Sequence, residues 1–283
     1  MILTNSSAAK VGASNVSAIA SSTALFRQFM CYISTTISTA ITGTTGLIKN
    51  GIGGLTLSGV CNYSGPTQIN SGTLSITNAS TLNGVISGAG SLTKSGSFAV
   101  TIGGNNTYTG GTLFSLGTIT FASGNAFGTG LFTAQTASQI ITGNNVTLPN
   151  NFQINAGANL QYRCAGTNTI TVTGNIVGSG SFNKTGNGTI NLTASTLTYT
   201  GATSRTSGFI VASKTTGAST ATATLGAGLS VSFNVAPPSG TTTFRFFQGS
   251  FNLSYGAVTL VGVPVGSTAI FTSATSTLSV TVP

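Results

Sequence analysis

The chain contains no acid. Its 283 residues include no Asp, no Glu, no His and no Trp, and Lys plus Arg number only 9. General acid–base catalysis needs a group that titrates near working pH, and glycoside cleavage needs paired carboxyls. Neither is present. Ser/His/Asp and Cys/His arrangements lack their base, zinc would find only the scattered Cys31, Cys61 and Cys164, and calcium or magnesium only carbonyls, amides and hydroxyls. A Ser–Lys pair, Lys94–Ser95 or Ser213–Lys214, is all that remains for nucleophilic chemistry, and nothing in the sequence would orient it or hold a substrate. The composition therefore predicts no enzyme, no cofactor and no metal site.

The net charge of +9 comes from Lys10, Arg27, Lys49, Lys94, Arg163, Lys184, Arg205, Lys214 and Arg245. These are dispersed, whereas a nucleic-acid surface shows clustered basic residues with stacking aromatics. They read as solvated turn residues that keep the surface soluble, with at most a weak attraction to anionic polymers or membranes. Without carboxyls, acid denaturation has nothing to protonate, so the fold is expected to be indifferent to pH between about 2 and 8. Three cysteines allow at most one internal disulfide and do not fix a compartment. No apolar run approaches the ~18 residues of a spanning helix. The start, "MILTNSSAAKVGASNVSAIASSTALFRQFM", is a poor signal peptide, since serines and then Arg27 break its hydrophobic stretch.

A long-period repeat organises the chain. Three segments align: "GLIKNGIGGLTLSGVCNYSGPTQINSGTLSI" (46–76), "GSLTKSGSFAVTIGGNNTYTGGTLFSLGTITF" (90–121) and "GSFNKTGNGTINLTASTLTYTGATSRTSGFIV" (180–211). Lys49, Lys94 and Lys184 mark the same place in each, and Tyr63, Tyr108 and Tyr199 follow. Short runs that alternate apolar with polar, such as "LTL", "AVTI" and "TINL", read as strands, and Gly and Asn supply the corners. Short strands separated by turn residues at a fixed long period describe a β-solenoid better than a sandwich. With coils of a little over 20 residues the repeat would span two coils, placing the three lysines at equivalent corners of successive windings. Residues 46–211 would then hold about seven coils, about 35 Å long at ~4.8 Å per stacked strand. The expected interior is Leu55, Leu57, Ile69, Leu74, Ile76, Val100, Ile102, Ile119, Phe121, Ile170, Val172, Ile190 and Leu192.

The segment "GSLTKSGSFAVTIGGNNTYTGGT" resembles the autotransporter-associated β-strand repeat of bacterial surface passengers, in which Gly-x-Leu-x-Lys-x-Gly leads to Asn-Thr-Tyr-Thr-Gly-Gly-Thr and then Gly-Thr-Leu. The likeness covers about 46–211. It implies a right-handed parallel β-helix presented outside a cell and carries over no catalytic site. An autotransporter also ends in a membrane barrel, for which this length leaves no room, so a separately exported subunit or a virus-encoded fibre component is expected.

The fold class expected is thus all-β: a right-handed parallel β-helix over 46–221, a small antiparallel β region over 222–283, and an N-terminal cap or assembly segment over 1–45. In that segment Ile19, Phe26, Met30 and Ile33 fall on one helical stripe. A solenoid exposes two raw edges. Phe26 and Met30 at one end, and Leu278, Val280 and Val282 at the other, are expected to carry assembly, the last three by strand addition to a neighbouring copy. Two functions fit. One is a structural subunit that polymerises with itself into an extracellular or cell-surface filament, sheath or fibre. The other is a surface adhesin or virion fibre that binds glycans, for which Tyr63, Tyr108, Tyr162, Tyr199 and Tyr255 would have to be exposed, although a tyrosine at a repeat corner reads more readily as a ladder residue.

Overall fold

The computed structural model describes residues 26–193, 199–201 and 203–212 and, outside them, the strands Ile2–Thr4, Ala8–Lys10, Ala223–Leu225, Leu229–Ser232, Gly240–Arg245, Val258–Val261, Thr268–Thr272 and Thr277–Val282. The chain divides into two compact units, 1–141 and 142–283. Among the described residues there is no helix.

The N-terminal unit is a parallel β-solenoid whose windings pass through three faces. Phe26–Met30, Gly46–Asn50, Thr67–Ile69 and Ile86–Ser87 stack on the first. Thr35–Ile37, Gly54–Leu57, Thr73–Ile76, Ser91–Lys94, Thr112–Phe114 and Phe132–Ala134 stack on the second. The third takes Ile41–Gly43, Cys61–Tyr63, Ser80–Leu82, Ala99–Ile102, Gly117–Phe121 and Ser138–Thr142. Hydrogen bonds between successive windings join residues 18, 19 or 20 apart in sequence. The register sets like on like: Leu55 beside Leu74, Leu74 beside Leu92, and Val100 beside Ile119. Each strand alternates inward and outward side chains, so one apolar column per strand lines the axis. All thirteen residues expected inside, from Leu55 to Leu192, are buried.

The first face ends at Ile86–Ser87, and a side chain continues its hydrogen bonding. Buried Asn106 accepts the Ile86 N–H at its Oδ1 (2.7 Å) and donates from Nδ2 to the Ala126 carbonyl (2.6 Å). Its carboxamide replaces a peptide group where no strand forms, and Phe127 fills the space beneath, 5.1 Å from Phe121 and 4.7 Å from Phe132.

At the other end of this face the helical stripe expected around Phe26 and Met30 is not formed. Phe26–Met30 is a strand, parallel to Gly46–Asn50 on one side and antiparallel to Ile2–Thr4 on the other, with Ala8–Lys10 beyond. Ladder partners on both sides and the inward anchor Phe29 outweigh the weak helical spacing. Ile33 points outward, and Ile19 lies outside the described residues.

The C-terminal unit contains parallel ladders of the same kind. Val146–Leu148, Thr169–Val172, Thr189–Leu192 and Phe209–Ala212 form one, and Asn159–Cys164, Ser181–Thr185, Thr203–Arg205 and Ala223–Leu225 another. Further along, Leu229–Ser232 pairs with Val258–Val261 in parallel, which corrects the antiparallel expectation for those two strands. Gly240–Arg245, Thr277–Val282 and Thr268–Thr272 are antiparallel as expected.

The repeat does not equal two windings. Windings of 18 to 20 residues use up fewer than 45 in two turns, and the remainder advances the chain by one face. Lys49 consequently sits on the first face and Lys94 on the second. The expectation of equivalent corners on successive windings is corrected. What recurs is the local corner, described next.

Candidate functional site

The residues that the sequence marked are buried. Lys49, Lys94 and Lys184 are 0, 1 and 0% exposed, which overturns their reading as solvated turn residues. Each is the last inward residue of its strand and is followed two positions later by a glycine with positive φ: Gly51 (77°), Gly96 (89°) and Gly186 (76°). That backbone turns consecutive carbonyls inward, where water does not reach, and the ammonium meets them. Lys94 Nζ donates to the carbonyls of Ser95 (3.3 Å), Gly96 (2.7 Å) and, one winding on, Leu116 (2.9 Å). Lys49 Nζ does the same with Asn50 (3.0 Å), Gly51 (2.6 Å) and Ser71 (3.0 Å). Lys184 Nζ reaches Thr185 and Gly186, both at 2.7 Å.

For Lys49 and Lys94, three donors are matched by three acceptors, and the third acceptor ties one winding to the next. No carboxylate exists to neutralise the charge, so carbonyl dipoles alone hold it. A hydrogen bond to a charged group is worth about 1.5–3 kcal/mol, against several kcal/mol for removing an ammonium from water. The two nearly cancel, so the clip mainly fixes geometry. Desolvation pulls the Lys94 ammonium down to about 8 and shifts Lys49 in the same direction. A glycine is required opposite as well, because a Cβ at Gly117 (φ 92°) would stand 3.0 Å from Lys94 Nζ and 2.5 Å from the Gly96 carbonyl oxygen.

The tyrosines form a second recurring corner, Tyr-x-Gly-x-Thr. Tyr63 hydrogen-bonds the Thr67 hydroxyl at 2.7 Å, Tyr108 that of Thr112 at 2.5 Å, and Tyr199 that of Thr203 at 2.5 Å, all within the interior. The glycine between them lets windings touch: a Cβ at Gly110 would lie 2.5 Å from the Gly90 backbone. Burial pushes the Tyr199 phenol up to about 12 and raises Tyr108 and Tyr162. Because Tyr63, Tyr108, Tyr162 and Tyr199 are buried, they cannot stack on a sugar, which corrects the glycan-binding expectation for these four. Tyr255 lies outside the described residues.

Nothing in this arrangement activates a nucleophile. Lys94 Nζ is turned to carbonyls and bonds only the main-chain oxygen of Ser95, and Ser213–Lys214 lies outside the described residues. Cys31, Cys61 and Cys164 are free and buried, and burial raises the Cys31 and Cys164 thiols. Of the residues expected to carry assembly, Phe26 and Met30 lie in a strand paired on both sides, as do Leu278, Val280 and Val282. Sequence reading missed Thr67, Thr112 and Thr203, although each stands four residues after its tyrosine in all three copies.

Residues 47–76 and 92–121 match the family model of the passenger-associated-transport-repeat. No curated protein and no solved structure matches the chain. The third copy, 180–211, lies outside the matched residues yet keeps the lysine and tyrosine corners. The chain thus carries two passenger-associated-transport-repeats, wound as turns of a parallel β-solenoid of the autotransporter-passenger kind.

Proposed function

We propose that this protein is a non-enzymatic structural scaffold, displayed outside a cell or secreted, that assembles end to end with copies of itself. The observation that carries this reading is the set of strand edges at the start of the N-terminal unit. The first face is continued by two antiparallel strands, whereas the second and third begin at Thr35–Ile37 and Ile41–Gly43, with no strand beyond them among the described residues. Both are outer members of parallel ladders, and a parallel winding of the same geometry would complete their hydrogen bonding. The lack of acidic residues supports the same reading, since no pattern of opposite charges is needed to set the register.

Strand addition at Thr277–Val282 is the weaker route, because that strand would first have to leave both of its neighbours. Surface or extracellular placement rests on the passenger-type repeat. Negative-stain microscopy of the purified chain tests the proposal. Filaments are expected, and Thr36→Lys with Thr42→Lys, which place charge on the two edges, should leave short rods of unchanged circular dichroism. Monodisperse rods from the unaltered chain at high concentration would overturn self-assembly, and a glycan-array signal from such rods would favour the adhesin.

A further inference from the structure

The outward side chains of the second face form an ordered array that the lysine and tyrosine corners do not use. The register places Thr36 beside Thr56, Thr56 beside Ser75, and Ser75 beside Thr93. A second column runs alongside, with Thr73 beside Ser91 and their hydroxyls 2.9 Å apart. Each of these residues alternates with a buried neighbour, so all six point away from the axis and are partly exposed. No described strand of this face carries a charged side chain outward. Adjacent columns on a strand are about 6.8 Å apart and adjacent strands ~4.8 Å, so the hydroxyls lie on a two-dimensional lattice held by backbone hydrogen bonds.

A flat lattice of uncharged hydroxyls and methyls orders water. Each hydroxyl offers one donor and two acceptors, and the Thr73–Ser91 contact leaves capacity on both partners for ligands outside the protein. Charged side chains would impose their own hydration shells and break that order. The two repeats of the array are close to those of oxygen rows on the prism faces of ice, and a rigid sheet meets such a surface without losing side-chain freedom, since β-branched threonine in a strand has little to lose.

We propose that the outer face formed by Thr36, Thr56, Thr73, Ser75, Ser91 and Thr93 binds ice. The proposal does not depend on end-to-end assembly, because the array is complete within one copy.

The test is freezing-point hysteresis and ice recrystallisation in solutions of the full chain. The unaltered protein should shape ice crystals and depress freezing beyond its colligative effect. Thr56→Lys with Thr93→Lys should lose that activity while keeping its circular dichroism and melting behaviour, whereas Gln68→Lys on the first face should keep it. If the double lysine variant fails to fold, Thr56→Tyr with Thr93→Tyr provides the same loss without charge. Absence of ice shaping by the unaltered chain overturns the proposal. So does undiminished activity of a folded Thr56/Thr93 variant. Binding to microcrystalline cellulose or chitin without any effect on ice would also overturn it and assign the array to a polysaccharide surface.

Discussion

The two units use the same corners around different interiors. In the N-terminal unit the axis is lined mainly by aliphatic columns such as Leu55–Leu74–Leu92, and successive windings differ by 18 to 20 residues. In the C-terminal unit, cross-winding bonds span 24 and 25 residues around 143–175. Its interior holds a file of rings, Phe152, Tyr162, Phe182 and Tyr199, with centroids 5.7, 4.9 and 5.9 Å apart. Polar satisfaction differs too. The buried Tyr162 hydroxyl and the side-chain oxygens of Asn159, Asn183 and Thr185 find no hydrogen-bond partner, against Thr39 alone in the first unit. Both family matches fall in the first unit, yet Lys184 and Tyr199 reproduce its contacts. A spacing pattern is lost when windings lengthen. The lysine clip survives because two of its acceptors lie on its own next two residues.

The largest expected effect tests whether the clips are equivalent. Lys94→Ala removes three bonds to buried carbonyls and leaves a cavity, so it should cost about 3–5 kcal/mol in urea unfolding. Lys184→Ala should cost about as much; a loss confined to Lys94 would show that the clip depends on the aliphatic interior. Gly117→Ala, which places a methyl against Lys94 Nζ at a left-handed φ, should cost roughly 1–3 kcal/mol. The tyrosines should separate the units more finely. Tyr108→Phe gives up its bond to Thr112 and should lose about 1 kcal/mol. Tyr162→Phe removes a hydroxyl with no partner and should be neutral or stabilising. Equal losses would erase the distinction.

The smallest effect is a pH profile. Between about 8 and the usual lysine range near 10.4, the unfolded chain keeps a proton that folded Lys94 has released, so stability should rise with pH there. Above about 10 the unfolded tyrosines ionise while folded Tyr108 and Tyr199 stay protonated, so stability should fall. Thermal melts from pH 7 to 11 should pass through a maximum, and Lys94→Met should flatten the rising limb. A monotonic fall from pH 8 would contradict the desolvated amine.

Most of the winding was legible because alternation is local. Leu55, Val100, Ile170 and Ile190 each sit between outward neighbours, and a strand that alternates has one face to bury. The site was less legible. A lysine between glycines has the composition of an exposed turn, and its burial depends on a carbonyl 22 residues away that only the folded winding supplies. The stripe around Phe26 failed for a similar reason: its ladder partners, Ile2–Thr4 and Gly46–Asn50, lie far off in sequence.

The sequence by itself determined that this is an uncharged, acid-free β chain with recurring corners and no reaction chemistry, because composition and alternation act residue by residue. Tertiary structure decided which way the corners face. The number of residues in a winding sets where each repeat lands on a three-faced coil, and that number follows from how successive backbones pack at glycine contacts such as Gly90 with Gly110. Only that packing turns Lys49 and Lys94 inward on different faces and leaves the threonine columns of the second face turned out.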